Sequence, residues 1–393
     1  MSGPREGRGA PMSRVTPAET VPGRRWGRSP LRLAVIGPSR HPLREPFAGG
    51  LESLVWHLVR GLRDDGHDVT LFAADGSDGA HPDYGFAGED WTPSAAASRD
   101  VSMPEAGFLT EHHRHLRLLL ALGGPMGRSF DLVHNHSLHY LPLAMAPTLP
   151  VPMLTTLHTP PTPWLESAVH AAPGRVGAFA AVSGFIAAEW PLPPEVLHVV
   201  PNGVDTHTWQ PGPGGRQLVW SGRIVPEKAP HLAIEAARRA GLPLVLAGPV
   251  HDRDYFAATI APHLGPDVLH LGHLTRAQLA RVVGRSAAAL VTPQWDEPYG
   301  LVVAEAMACG TPVIAFRRGG IAEALHDPDV GELVAPDDVA AMAAAVPRVV
   351  RLDRHTVRRH AVRHLSIERT VMAYVDLYRR ILAGATAEDH LTA

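Results

Sequence analysis

Two carboxylates and two cations carry the chemistry this chain could do. Glu297 and Glu305 bracket the run Pro298-Tyr299-Gly300-Leu301-Val302-Val303-Ala304. A helix starting near Gly300 would spread them over up to about 12 Å at ~1.5 Å per residue. Acids so far apart cannot share one proton, which excludes the tight dyad of an aspartic protease. They suit an elongated ligand, one acid at a sugar and the other at a ribose, with a phosphate received between them by the N–H groups of the helix start. Ser221-Gly222-Arg223-Ile224-Val225-Pro226-Glu227-Lys228 puts an Arg and a Lys directly after a strand pattern. Arg offers a bidentate fork and Lys a mobile point charge. Beside a departing diphosphate, each cation is worth up to roughly 4 kcal/mol at ~4 Å in a medium of intermediate dielectric, enough to do work often given to magnesium.

Two further elements point the same way. Gly49-Gly50 precedes the apolar face formed by Leu51, Leu54, Val55, Leu58, Val59 and Leu62, so a helix opens there with bare N–H donors and no side chain to keep a ligand away. His158 closes the strand pattern Met153–His158, and a histidine at a strand C-terminus faces the crevice of a parallel sheet. Other candidates carry less. Asp252-Arg253-Asp254 has the spacing of a metal-binding D-x-D but opens a helix, where capping explains it. Cys309, the only cysteine, excludes an intrachain disulfide and reads as a small buried residue. Among 24 histidines, only His134/His136 and the group His112, His113 and His115 lie within two residues of another histidine, and the latter group reads as a solvated or core helix face.

The elements that must hold these residues alternate strand and helix. Strands are predicted at Leu31–Gly37, Val69–Ala73, Asp131–His136, Met153–His158, Ala178–Ser183 and Leu197–Pro201. After the Pro/Gly-rich stretch Thr206–Arg216 they resume at Gln217–Ser221, Pro243–Ala247, Val268–Leu271, Ala288–Val291 and Pro312–Ala315. Helices such as His231–Ala240 and Thr275–Val283 separate the later strands. The pattern implies an α/β protein of two Rossmann-like, doubly wound domains that face each other across a cleft. Residues 1–30, rich in Gly, Pro and Arg, read as a disordered leader. Residues 31–205 form the first domain, 206–366 the second, and a helix at about 367–385 crosses back to brace the first. The long stretch Gly76–Gly107 has little periodicity and reads as a loop.

Composition sets outer bounds. A chain of 393 residues exceeds what one core supports, and 45% hydrophobic residues suffice to bury two. A net charge of −3 argues against a nucleic-acid partner. No apolar stretch approaches the ~20 residues that span a bilayer. With a single cysteine, these features lead to the expectation of a cytoplasmic protein of undetermined oligomeric state.

In type and order these motifs resemble the family 4 retaining glycosyltransferases of the GT-B fold, from about Leu33 to about Leu382. The matching series is the Gly-Gly helix, Asp131-Leu132-Val133-His134, Leu157-His158, Ala181-Val182-Ser183, Pro201-Asn202-Gly203-Val204-Asp205, the Arg/Lys pair and the two glutamates. The resemblance implies retention, no metal or resident cofactor, and a nucleotide-sugar donor, UDP- or GDP-linked. It implies that Arg223 and Lys228 bind the diphosphate, Glu305 the ribose, and Glu297 the transferred sugar. Gly49 and Gly50 then offer the helix start to the phosphates. Gly300 and Leu301 supply amides, and His158 stands beside the reacting centre. Ala229 departs from the family's usual glycine after the lysine, which bears on the turn there. A sugar-nucleotide epimerase of the same fold and a non-catalytic nucleotide-sugar-binding protein match the same residues. The segment His112–Arg128 leaves membrane contact open, and the acceptor, expected among small metabolites or natural products, is not encoded in any pattern.

Overall fold

The structure, a computed structural model, describes residues 29–81, 91–102, 104–172, 174 and 176–392, with side chains to 385. The expected leader 1–30 lies almost wholly outside the described residues, as does the middle of the Gly76–Gly107 stretch. Twelve strands are described: β1 Arg32–Ile36, β2 Asp68–Phe72, β3 Leu132–Asn135, β4 Met153–Leu157, β5 Ala178–Ala181, β6 Leu197–Val199, β7 Leu218–Ser221, β8 Leu244–Ala247, β9 Val268–His270, β10 Ala288–Val291, β11 Val313–Phe316 and β12 Gly331–Val334. The helices are α1 Gly50–Asp64, α2 Ala106–Gly123, α3 Leu141–Met145, α4 Pro163–Ala171, α5 Gly184–Glu189, α6 Pro230–Arg239, α7 Arg253–Tyr255, α8 Arg276–Gly284, α9 Leu301–Ala308, α10 Ile321–Ala324, α11 Val339–Val349, α12 Arg354–His364 and α13 Ile367–Thr392.

The strands form two six-stranded parallel sheets, ordered β2-β1-β3-β4-β5-β6 and β12-β11-β10-β7-β8-β9. Parallel sheets covered on both faces are built from continuous apolar runs rather than alternating ones. Leu33, Ala34, Val35 and Ile36 of β1, and all four residues of β11, are accordingly buried. The order reverses between β1 and β3 in the first sheet, and between β7 and β10 in the second. Ligands of open α/β sheets bind outside the strand C-termini at such switch points. The loops that carry Gly49, Arg223, Lys228 and Glu297 leave from three of these strands, β1, β7 and β10.

The final helix returns to the first lobe and runs past the expected end to Thr392. Val371, Tyr374, Val375, Leu377 and Tyr378 join Leu54, Leu58 and Leu62 of α1 in one buried cluster. The two helices approach so closely that a Cβ on Gly61 would lie 2.6 Å from Val371 Cγ2. Where the chain passes between lobes, its two crossings pair with each other: Val204 N–H donates to Leu365 O and Ile367 N–H to Val204 O, each at 2.9 Å. A side chain at Gly203 would strike the Ser366 backbone at 2.4 Å, so the Pro201–Asp205 motif requires glycine for this contact.

One strand goes beyond the sequence expectation. An edge strand, β12, extends the second sheet. The helix containing His112, His113 and His115, expected to be solvated or core, takes the core reading, with His115, Leu118, Leu119 and Leu122 buried and Leu120 exposed. Among the described residues no helix is long and apolar enough to cross a membrane.

Candidate active site

A cavity of about 790 Å³ lies between the lobes and is lined from both. Arg223, Lys228, Glu297, Gly300, Leu301 and Glu305 line it from the second lobe, and Gly49, Gly50 and His158 from the first. All nine residues singled out from sequence therefore meet in one place.

On the second lobe, Arg223 follows β7 and makes no hydrogen bond or ion pair with any described residue. Lys228 ends the turn Pro226–Lys228, and the next residue, Ala229, stands in the left-handed region at φ 46° and ψ 52°. The backbone thus keeps a glycine-type turn on an alanine, a conformation that costs about 1 kcal/mol for an L-residue. The Lys228 ammonium is ion-paired with Glu297 Oε1 and sits 4.9 Å over the Trp295 ring. Trp295 Nε1 donates to the same carboxylate at 3.1 Å. Glu297 is only 9% exposed, and its main chain is fixed by Gly320 N–H donating to Glu297 O at 2.7 Å. The acid and the lysine are therefore one unit, where the sequence suggested two independent contacts.

Gly300 adopts φ 88° immediately before α9, turning the chain so that the free N–H groups of that helix start at the cleft. One turn along α9, Glu305 lines the cavity, and its carboxylate accepts no hydrogen bond from the described residues. Burial pushes its pKa up to about 7, with Arg276 opposing the shift. Asp252 accepts from Tyr255 N–H at 2.8 Å and caps α7, as expected for a residue outside the site.

On the first lobe, Gly49 caps α1 without a side chain. A Cβ on Gly50 would lie 3.0 Å from Leu301 Cδ1, so the N-termini of α1 and α9 oppose each other across the cleft. His158 follows β4, and burial lowers its pKa to about 3, leaving a neutral ring. Its Nε2 is 3.0 Å from His136 Nδ1. Beyond it, Trp164 of α4 lines the cleft while 60% exposed. It stacks on Tyr140 at 5.2 Å and 26°, with Phe108 at 5.9 Å.

Sequence reasoning missed several cleft residues. Asn202 Oδ1 and Tyr299 Oη are buried at the cavity wall without a partner among the described residues. Both stand inside motifs quoted above, but nothing in those motifs distinguishes them from packing positions. His139 accepts from Leu141 N–H at Nδ1, 3.2 Å away, so its Nε2 carries the proton, and that buried donor is likewise unpaired. Arg276, at the start of α8, reaches across to the first lobe, where it bonds Glu45 and His57 and lies 5.0 Å over both Phe47 and Trp56. Burial, then Arg276 itself, lowers the His57 pKa to about 4, keeping that imidazole neutral as an acceptor. The lobes also meet where Glu323 accepts from Gly184 N–H and Phe185 N–H, each at 2.8 Å, and where Ser183 Oγ donates to Pro298 O at 2.6 Å.

Two parallel α/β lobes with cations and helix N-termini converging on the cleft define the GT-B class of glycosyltransferases, and solved structures share that architecture. A glycosyltransferase involved in avilamycin A biosynthesis, AviGT4, matches 90% of this chain and 99% of its own at TM-score 0.63 and 24% identity. Anabaena Alr3699/HepE, solved in complex with UDP and glucose, matches 88% and 99% at TM-score 0.65 and 16% identity. In sequence, residues 48–208 match the Glycosyltransferase Family 4 model and residues 209–362 the Glycosyl transferases group 1 model. The glycogen synthase of Mycobacterium tuberculosis is 30% identical over 342 residues, covering 77% of this chain and 82% of that enzyme. The chain belongs to the group 1 glycosyltransferases.

Proposed function

We propose that this glycosyltransferase moves a sugar from a nucleoside-diphosphate sugar, UDP- or GDP-linked, to an acceptor hydroxyl, with retention of anomeric configuration and without a divalent ion. The observation that carries the reading is a guanidinium and a carboxylate, Arg223 and Glu305, that face one cavity without a protein partner and flank the Lys228–Glu297 pair. Exposed charge needs no partner, but an unpaired carboxyl whose pKa burial pushes up to about 7 inside a cleft supports a binding role for it. Four residues along α9 is about 6 Å, so a pyrophosphate at the helix start leaves its ribose within reach of Glu305. Arg223, Lys228 and the N-termini of α1 and α9 then surround the leaving group as it gains charge.

Glu297, tied to Lys228 and Trp295, orients a hydroxyl of the transferred sugar. A carboxylate so engaged is a poor nucleophile, which favours a direct route over a covalent glycosyl-enzyme. The bond from the anomeric carbon to the phosphate oxygen breaks, and the acceptor oxygen bonds to the same face. The acceptor proton passes to the departing phosphate. That Alr3699/HepE was solved with UDP and glucose supports a nucleotide-sugar donor. On the acceptor side, the stacked wall of Trp164, Tyr140 and Phe108 fits a small metabolite or natural product presenting a flat ring face.

The test is to incubate the protein with UDP- and GDP-sugars in EDTA and to follow nucleoside diphosphate release and the anomeric configuration of the product. The reading expects release that EDTA does not abolish, and loss of about 10³-fold in Arg223→Ala with folding intact. An inverted product, or turnover that returns only on adding a divalent ion, overturns it. Binding without release marks a non-catalytic protein, and a donor epimer marks an epimerase.

A further inference from the structure

Behind His158 lies a buried chain of hydrogen bonds that ends on the C-terminal helix. His158 Nε2 is 3.0 Å from His136 Nδ1, and His136 Nε2 is 3.2 Å from His134 Nδ1. His134 Nδ1 is 2.7 Å from the Tyr378 hydroxyl, His134 Nε2 is 2.8 Å from Thr156 Oγ1, and Thr156 Oγ1 is 3.0 Å from the Tyr374 hydroxyl. His134, His136, Tyr374 and Tyr378 are wholly buried, and Thr156 nearly so. Burial holds all three imidazoles neutral, with His134 and His136 well below the usual range. Each ring therefore has one N–H and one lone pair.

That constraint leaves two directions for the chain. Were His134 Nδ1 protonated, the Tyr378 hydroxyl would have to accept from it. The phenolic proton would then be buried with no acceptor among the described residues, and an unmade buried donor is the costlier arrangement. With the lone pair on His134 Nδ1, Tyr378 O–H and His136 Nε2–H both donate to it, and His134 Nε2–H donates to Thr156. His136 Nδ1 is then a lone pair that accepts from His158 Nε2–H. We infer that Tyr378, through His134 and His136, fixes His158 as its Nε2–H tautomer, so that its Nδ1 lone pair is offered to the cleft as an acceptor for a substrate hydroxyl. His134, His136 and Tyr378 are positioning residues, and the one that sets the direction lies 220 residues from His158 in sequence, on the helix that returns from the second lobe. In the cleft, this makes His158 select a substrate group that can donate, a hydroxyl rather than a carbonyl or ether oxygen. Only this last consequence rests on the proposed transfer reaction.

Long-range ¹H–¹⁵N correlation spectra of the full chain labelled with ¹⁵N-histidine read the tautomers directly, without any turnover. Signals are assigned by their loss in His134→Gln, His136→Gln and His158→Gln. At about pH 7.5 the expected result is all three rings protonated at Nε2 and unprotonated at Nδ1, and a His158 signal protonated at Nδ1 overturns the inference. Tyr378→Phe and Tyr374→Phe then separate direction from packing. Both remove one buried hydroxyl from the same helix, but only Tyr378 donates to His134 Nδ1, because Tyr374 meets a Thr156 hydroxyl that can turn. Tyr378→Phe is expected to weaken the His158 tautomer preference about five- to tenfold and lower kcat by a similar factor at unchanged donor KM. Tyr374→Phe is expected to leave the tautomers as in the wild type. Equal effects of the two variants on the tautomers refute the relay, whereas absent turnover with the expected tautomers counts against the transfer reaction alone.

Discussion

Replacing Glu305 by glutamine tests whether the cleft is maintained at a cost to stability. Removal from water raises this carboxyl from an ordinary 4.5 to about 7, which at ~1.36 kcal/mol per pH unit corresponds to about 3 kcal/mol. The sign follows from linkage. Below pH 4.5 the carboxyl is protonated folded or unfolded and the penalty is absent. Between pH 4.5 and 7 the unfolded chain ionises first, so the penalty grows, and above pH 7 it is complete. Glu305→Gln has no such penalty and is expected to match the wild type near pH 4.5 and to exceed it by about 3 kcal/mol at pH 8. Urea unfolding followed by fluorescence at several pH values measures the difference. In the wild type, ribose hydroxyls donating to the ionised form also make donor affinity rise with pH through about 7, whereas affinity in Glu305→Gln stays low and flat. Parallel stability profiles for the two proteins would show that this carboxyl is not desolvated, and the argument that its site is built for a ligand would fail.

Other outcomes follow from the same geometry. Lys228→Ala is expected to lower kcat by about 10³-fold and also to destabilise the fold, since Glu297 is left buried without its partner; Arg223→Ala, with no protein partner to lose, should lower kcat at unchanged melting temperature. Trp164→Ala is expected to raise the acceptor KM about tenfold while the donor KM and stability hold, because the ring is largely exposed; an unchanged acceptor KM would remove the aromatic wall from the acceptor site. Arg276→Ala releases the bonds to Glu45 and His57, and small-angle scattering should then show a more open molecule, with a donor KM raised several-fold.

The strands were legible because buried parallel strands are unbroken apolar runs, and the cation and glutamate motifs because they follow those runs directly. β12 was not, since it is a four-residue edge strand with Glu332 in it. Pairings across long sequence distances were also invisible. Lys228 and Glu297 are 69 residues apart, and His134 and Tyr378 are 244 apart. Sequence offered each as a separate residue, and only the sheet order and the returning helix brought them together. The histidine group on α2 left solvated and core readings open for a related reason: a neutral, stacked imidazole packs as an apolar ring, as His115 does against His139 at 4.2 Å.

The returning helix has a consequence for how the molecule is made. During synthesis, the first lobe emerges with the Leu54–Leu58–Leu62 face of α1 uncovered, and the residues that cover it are translated only after the second lobe. The second lobe has all its strands by residue 334 and can close its sheet before then. The nascent chain therefore completes the second lobe before the first. Until Tyr374 and Tyr378 leave the ribosome, the first lobe waits with an open seam, and truncation near residue 366 would strand it there.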